Sequence, residues 1–273
     1  MAPHDNGTTT AGQRPRPPLA VWPCAQDGGL APKAELTRRL IADLSAPGDT
    51  VAALCHGEGT PLVQAAVMER RAHGIEVNPQ RFRAAQRRLR DHLSAERRRE
   101  VVHWQADARA AEVLLAPIWG RTRLVAATLP RSAAHRRDTH HLHADHLGRL
   151  TGSAYADAAQ ALITAAAGLL RPGGHLAVIC PGHEQTGGQV DRVTVCAHAA
   201  HAAGLAYVQH IIALTRPISG DAAERAEEGS GAPGEQVLGA AHAEAAVTLI
   251  SPCHHDVVLL HKPAAGPATA VGR

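Results

Sequence analysis

Two apolar periodicities alternate along the chain from Lys33 onward, and this alternation restricts its fold more than any other feature. Short runs of Val, Ile, Leu and Ala read as strands at Thr50 to Leu54, Ala72 to Val77, Val101 to Gln105, Arg123 to Thr128, Gly174 to Cys180, Ala206 to Leu214 and Asp256 to His261. Runs with a helical period read as helices at Lys33 to Leu44, Pro61 to Arg70, Pro79 to Arg98, Tyr155 to Leu170 and Gln189 to Ala203. Strands separated by helices are joined by crossovers, so they run parallel and the helices cover both faces of the sheet. The expected fold is α/β, a doubly wound sheet of seven strands whose last strand is antiparallel, in a hairpin with Ala206 to Leu214. Ile218 to Gly239, rich in Gly, Glu and Ala with no apolar period, reads as a flexible loop across that hairpin.

The length of 273 residues suits one full-sized domain. Residues 21 to 263 are expected to form it, with disordered tails at 1–20 and 264–273. Only six aromatic residues (Trp 3, Tyr 2, Phe 1) accompany a hydrophobic fraction of 45%, so the core has to be aliphatic. No apolar run approaches the roughly 20 residues that span a bilayer, and Met1 to Pro18 has no apolar signal-peptide region, which leads to the expectation of a soluble cytoplasmic protein without a membrane partner. Five cysteines form no C-x-x-C pair, so neither a disulfide framework nor a zinc ribbon is expected. A net charge of +3 is too small to coat nucleic acid by bulk charge, and a nucleic-acid partner would be met by a local patch.

The chemistry concentrates where strands end. The first strand runs through Ala53-Leu54-Cys55-His56-Gly57-Glu58-Gly59-Thr60 straight into a helix. Two glycines one residue apart let the backbone turn tightly against a ligand, and the helix points its first N–H groups at the same place. Glu76 stands at the tip of the second strand, 19 residues after Gly57, where a carboxylate can accept both hydroxyls of a ribose. Asp107, after the third strand, either caps a helix or accepts the exocyclic amine of an adenine.

These residues, together with Pro47-Gly48-Asp49-Thr50-Val51, Gly74-Ile75-Glu76-Val77-Asn78-Pro79, Leu170-Arg171-Pro172-Gly173-Gly174 and the closing His255-Asp256-Val257-Val258-Leu259-Leu260, resemble the S-adenosylmethionine-binding half of the class I amino-methylating DNA methyltransferases, which act on N6 of adenine or N4 of cytosine. Val21-Trp22-x-x-Ala25-Gln26 is similar to the opening of predicted DNA methylases of high-GC bacteria. The resemblance implies a Rossmann-like methyltransferase sheet and S-adenosylmethionine as cofactor, held by Ala53, Cys55, Gly57, Gly59, Thr60, Glu76 and Asp107. DNA or another nucleic acid would be the partner. It also places the catalytic motif at Thr128-Leu129-Pro130-Arg131, where the family has [DNS]-P-P-[YFW]. There a polar side chain and a backbone carbonyl accept hydrogen bonds from the target amine while an aromatic ring stacks on the flipped base.

Three departures from the family pattern stand out. Ala53 replaces an Asp that would meet the ammonium of the methionine moiety, His56 replaces a Cys, and Arg131 replaces the aromatic platform. Glu58 is the nearest carboxylate able to stand in for the missing Asp. A catalytically inactive cofactor- or partner-binding module of the same fold is therefore the alternative reading. A nicotinamide dehydrogenase is disfavoured, because its third motif glycine would fall on Leu62. Of the remaining clusters, the His- and Asp-rich segment from Arg131 to His146 reads as a lid rather than a metal site, and the arginines from Arg81 to Arg99 read as a solvated helix face.

Overall fold

The computed structural model describes residues 20–24, 31–130, 146–182, 191–216 and 254–264. Its elements, in chain order, are β1 (Ala20–Pro23), α1 (Pro32–Leu44), β2 (Thr50–Leu54), α2 (Thr60–Val67), β3 (Arg71–Ile75), α3 (Pro79–His92), α4 (Ala95–Arg99), β4 (Val101–Trp104), α5 (Ala111–Leu114), β5 (Thr122–Thr128), α6 (Gly152–Leu169), β6 (Leu170–Pro181), α7 (Arg192–Ala202), β7 (Ala206–Leu214) and β8 (His254–His261). They build one sheet in the order β1-β7-β8-β6-β5-β2-β3-β4. All neighbours pair parallel except β8, which runs antiparallel between β6 and β7. The sheet thus has the expected doubly wound order with an antiparallel last strand.

The strand count is eight, not seven. The added strand, β1, pairs parallel with β7 at the sheet edge, and its four residues are too few to show a period in the sequence. The single helix expected from Pro79 to Arg98 is two: Leu93 is extended, and the Ser94 hydroxyl accepts a hydrogen bond from the Arg97 N–H to start α4. The loop read at Ile218 to Gly239 and both tails beyond residues 20 and 264 lie outside the described residues.

Two apolar layers sandwich the sheet. On one face Ala52 and Leu54 of β2 pack with α5, α6 and α7; on the other Val51 and Ala53 pack with α1, α2 and α3. With few aromatics available, α6 supplies small side chains instead: five alanines are buried along it, so the helix lies close to the sheet. No helix among the described residues is long and apolar enough to cross a membrane.

The carboxyl ends of β2, β3, β4, β5 and β6 share one edge, and the turns leaving them are sharply defined. At the β3–α3 turn the Asn78 side chain accepts hydrogen bonds from the N–H groups of Gln80 (2.9 Å) and Arg81 (3.1 Å), while Pro79 takes the first helical position, where its missing N–H costs nothing. Asn78→Ala should destabilise the protein by about 1 kcal/mol, because the two N–H groups lose their acceptor. A chemical denaturation midpoint unchanged from wild type would contradict this.

Candidate functional site

The loop from β2 to α2 departs from ordinary backbone at every second residue: Cys55, Gly57 and Gly59 have φ of +55°, +63° and +82°. Cys55 is the one among them with a side chain to strain. At Gly59 a Cβ would lie 2.8 Å from that of Ala85 on α3, so only glycine allows the loop to pass so close to that helix. Thr60, buried, then opens α2.

Glu76 holds this loop in place. It is 2% exposed, and its carboxylate accepts from the Gly57 N–H at 2.7 Å and from the Asn78 N–H at 2.9 Å. The carboxylate therefore links the tips of β2 and β3, with lone pairs remaining on both oxygens. Asp107 caps the short 3-10 turn that follows β4, accepting from the Arg109 N–H at 2.9 Å, and it forms an ion pair with the Arg109 guanidinium. This is the capping role foreseen for it, and the carboxylate also lines the cleft.

Cys55, Glu76, Asp107, Thr128 and Pro130 come together with Val77, Arg81, Ala108, His146 and Leu147 around an inner pocket of about 20 Å³. That is space for about one water molecule, far less than a nucleoside would need. It opens into an outer cleft of about 470 Å³ bounded by Lys33, Gly57, Glu58, Arg81, Thr128, Pro130, His146 and Pro181. Burial, followed by the Glu76 and Asp107 carboxylates, pushes the Cys55 thiol up, so it stays protonated and is no nucleophile.

The remaining expected site residues divide: Ala53 and Leu129 are enclosed, while Pro130 and Thr128 line the cleft. Ala53 is 1% exposed and packs in the apolar layer against α1 and α2, away from the cleft. Leu129 is fully enclosed; its N–H donates to the Ile179 carbonyl at 2.9 Å, and its own carbonyl faces the Arg192 guanidinium at 3.4 Å. The Pro130 carbonyl accepts from the Tyr155 hydroxyl at 2.6 Å. Thr128, half-buried at the end of β5, keeps a hydroxyl with no hydrogen bond among the described residues. Arg131 lies outside the described residues, as does the segment preceding His146.

Sequence reasoning missed three of these participants, Arg192, Tyr155 and Lys33, and reached His146 only as the last residue of the segment read as a lid. Arg192, buried at the start of α7, donates to the carbonyls of Leu129, Pro181 and Gly182 and so ties the end of β5 to the end of β6. Tyr155 anchors the same loop from α6. His146 lines both compartments, its Nδ1 accepting from the Gly148 N–H at 2.9 Å. Lys33 stands at the rim, open to the cleft water yet crowded enough that desolvation, with repulsion from Arg81, lowers its pKa. Of the three missed, only Lys33 carried a signal: it is one of just two lysines among 28 basic residues.

No protein-family model matches the chain, and no curated protein matches it in sequence. Solved structures share its fold. The [4+2]-cyclase SpnF superposes with a TM-score of 0.54 at 17% identity, covering 90% of this chain and 88% of that one. Geranyl diphosphate C-methyltransferase from Streptomyces coelicolor A3(2), solved with S-adenosyl-L-homocysteine, gives 0.50 at 11% identity over 84% and 80% of the two chains. TrmN from Thermus thermophilus gives 0.50 at 14% identity over 84% of this chain but 48% of that one, so this chain spans about half the length of that neighbour. The architecture is the Rossmann-like methyltransferase fold.

His56 fills the space above Gly74 and lies 5.6 Å from the ring of His103, which stacks on Phe82. Its Nδ1–H donates to the Gly57 carbonyl at 3.0 Å, leaving a buried Nε2 with no partner among the described residues. Burial, reinforced by His103, pushes its pKa down from 6.5 to about 3. The unfolded chain thus binds a proton that the folded chain refuses between those values, and stability must fall as pH drops through that window, by up to about 1.4 kcal/mol per pH unit from this group. Denaturation measured from pH 7 to pH 4 should show that loss, and His56→Leu should flatten it. A slope unaltered by the substitution would assign the acid sensitivity elsewhere.

Proposed function

We propose that this chain binds S-adenosylmethionine at the carboxyl ends of β2 to β5 and is related in function to the amino-methylating enzymes, its acceptor an exocyclic amine of a base in DNA or another nucleic acid. One observation carries the reading: the Glu76 carboxylate sits at the tip of β3 over the inner pocket, bonded to the Gly57 N–H, with Asp107 on the same wall. A nucleoside in that position would place its ribose hydroxyls on the free lone pairs of Glu76 and its base near Asp107, after Arg81 and His146 move aside. The neighbour solved with S-adenosyl-L-homocysteine supports the choice of cofactor. The cofactor supplies an electrophilic methyl on sulfur; Thr128 accepts one hydrogen from an incoming amine and orients it.

A second reading, a catalytically inactive module that binds cofactor or a partner, draws on a different observation. The Leu129 carbonyl, which would be the second acceptor for the amine, is enclosed and turned to Arg192. An amine held by Thr128 alone is less tightly oriented for attack.

Calorimetry with S-adenosylmethionine, S-adenosylhomocysteine and NAD, followed by incubation of labelled S-adenosylmethionine with DNA and RNA, separates the readings. The two sulfur ligands should bind and NAD should not. Glu76→Ala should weaken them tenfold to a hundredfold, about 1.5–3 kcal/mol, whereas Asp107→Asn should weaken them less because Arg109 already engages that carboxylate. Label transfer to nucleic acid that disappears in Glu76→Ala supports methyl transfer. Binding without transfer to any acceptor supports the inactive module, and NAD binding in place of the sulfur ligands refutes both.

A further inference from the structure

The arginines of α3 do not form one uniform face. At 3.6 residues per turn Phe82, Ala85 and Leu89 point to the sheet, Phe82 stacking on His103 of β4 at 4.5 Å. Arg81 and Arg88 fall on the flank toward the glycine loop, where Arg81 lines the cleft and Arg88 meets Glu58. Arg83, Arg87 and Arg90, at i, i+4 and i+7, fall on the other flank, exposed, and their guanidiniums make no hydrogen bond or ion pair among the described residues. Asp91, the one carboxylate of α3, pairs with none of them. Side chains at these spacings are neighbours, so the three cations repel one another. Other helices of the chain pair their charges: Glu35 of α1 meets both Arg38 and Arg39, and Arg97 of α4 meets Glu69. Mixed signs of that kind are what a merely solvated face carries.

The unpaired flank overhangs the free edge of the sheet. β4 ends the strand order and pairs with β3 alone among the described residues. Its Val101 and His103 face α3 and the apolar layer beneath it, which turns Val102 and Trp104 to the opposite side, where they are 40% and 47% exposed. The Trp104 carbonyl accepts from the Glu76 N–H at 3.0 Å, so this edge is continuous with the cleft.

We propose that this edge binds an unpaired nucleic-acid strand, with phosphates on Arg83, Arg87 and Arg90 and a base stacked on the Trp104 indole. The inference rests on the nucleic-acid reading above and assigns it a surface. From Arg83 to Arg90 the helix rises about 10 Å, a length over which a stacked strand carries about three phosphates. A guanidinium meets phosphate oxygens through two parallel N–H groups, and an exposed indole accepts the face of any base. A duplex offers the phosphates without a free base. Neither contact involves the sugar 2′ position, so DNA and RNA strands are equivalent to this surface.

Fluorescence anisotropy on the full chain without cofactor tests this, using labelled oligothymidylate and oligouridylate of about 12 nucleotides, a duplex of the same length and a polyglutamate peptide. The two single strands should bind alike and about fivefold or more tighter than the duplex. Trp104→Leu should remove that preference, leaving duplex binding within about twofold of wild type. The triple variant Arg83→Gln, Arg87→Gln, Arg90→Gln should weaken the strands about tenfold or more in low salt and reduce the slope of log affinity against log salt by about two, the loss of three phosphate contacts. Thermal melts of both variants should coincide with wild type, as expected for exposed side chains. Strand binding that survives both variants would overturn the edge assignment and keep the nucleic-acid reading. Equal binding of strand and duplex, indifferent to Trp104→Leu, would reduce the surface to a plain electrostatic patch, and polyglutamate binding as tightly as the strands would assign it to an acidic protein; either overturns the inference. No binding of any nucleic acid by wild type would overturn both it and the nucleic-acid reading, while the S-adenosylmethionine reading, tested by calorimetry, would stand.

Discussion

The Glu76 carboxylate is the constraint on which the site depends. Three left-handed residues in a five-residue turn would not hold one conformation by themselves, because such backbone is costly and offers few internal hydrogen bonds. Two N–H groups, of Gly57 and Asn78, converge on one buried carboxylate and make the turn a fixed surface. The same contact joins β2 to β3 beyond their last ladder pair, Leu54 with Ile75. Removing the charge would leave two buried donors without acceptors, so the loop, the start of α3 and the inner pocket would loosen together.

Much of the fold was legible because apolar periodicity and crossover topology are local signals. Thr50–Leu54 and Ala206–Leu214 form strands with the very bounds their composition suggested. What was not legible has physical reasons. The four-residue β1 gains its stability from pairing with β7, a contact nearly 200 residues away that no local pattern encodes. The break between α3 and α4 is set by Ser94 capping a new turn, and arginines on both sides conceal it. In β2 both faces are buried, so alternation could not reveal that Ala53 points to the layer opposite the one containing Ala52 and Leu54.

The site was legible by motif, and its structural roles only in part. Glu76, Gly57 and Asp107 converge as their spacing implied; Asp107 takes the capping role the sequence offered, whereas the clamp that Glu76 makes on the loop had no sequence signal. The arginine-rich helix read as a solvated face divides in the structure: Arg83, Arg87 and Arg90 are exposed, while Arg81 lines the cleft and Arg88 reaches Glu58. Arg192 was invisible among 26 arginines, because nothing in sequence separates a guanidinium that binds three carbonyls from one that stays in water.

The fold alone does not choose the reaction, since one structural neighbour is named a cyclase and another a methyltransferase. The choice falls to the few groups at the ends of β5 and β6. There the chain has spent its acceptors on itself: Tyr155 takes the Pro130 carbonyl and Arg192 the Leu129 carbonyl, leaving the Thr128 hydroxyl facing the cleft. A single acceptor permits rotation of an amine about one hydrogen bond, whereas two would fix the direction of its lone pair. Arg192 also sets a positive charge behind this loop, where a nitrogen gaining a methyl would itself become positive. On these residues the cleft is better built to hold a charged ligand than to aim an amine at it, and release of Leu129 from Arg192 is the structural change that amine chemistry would require.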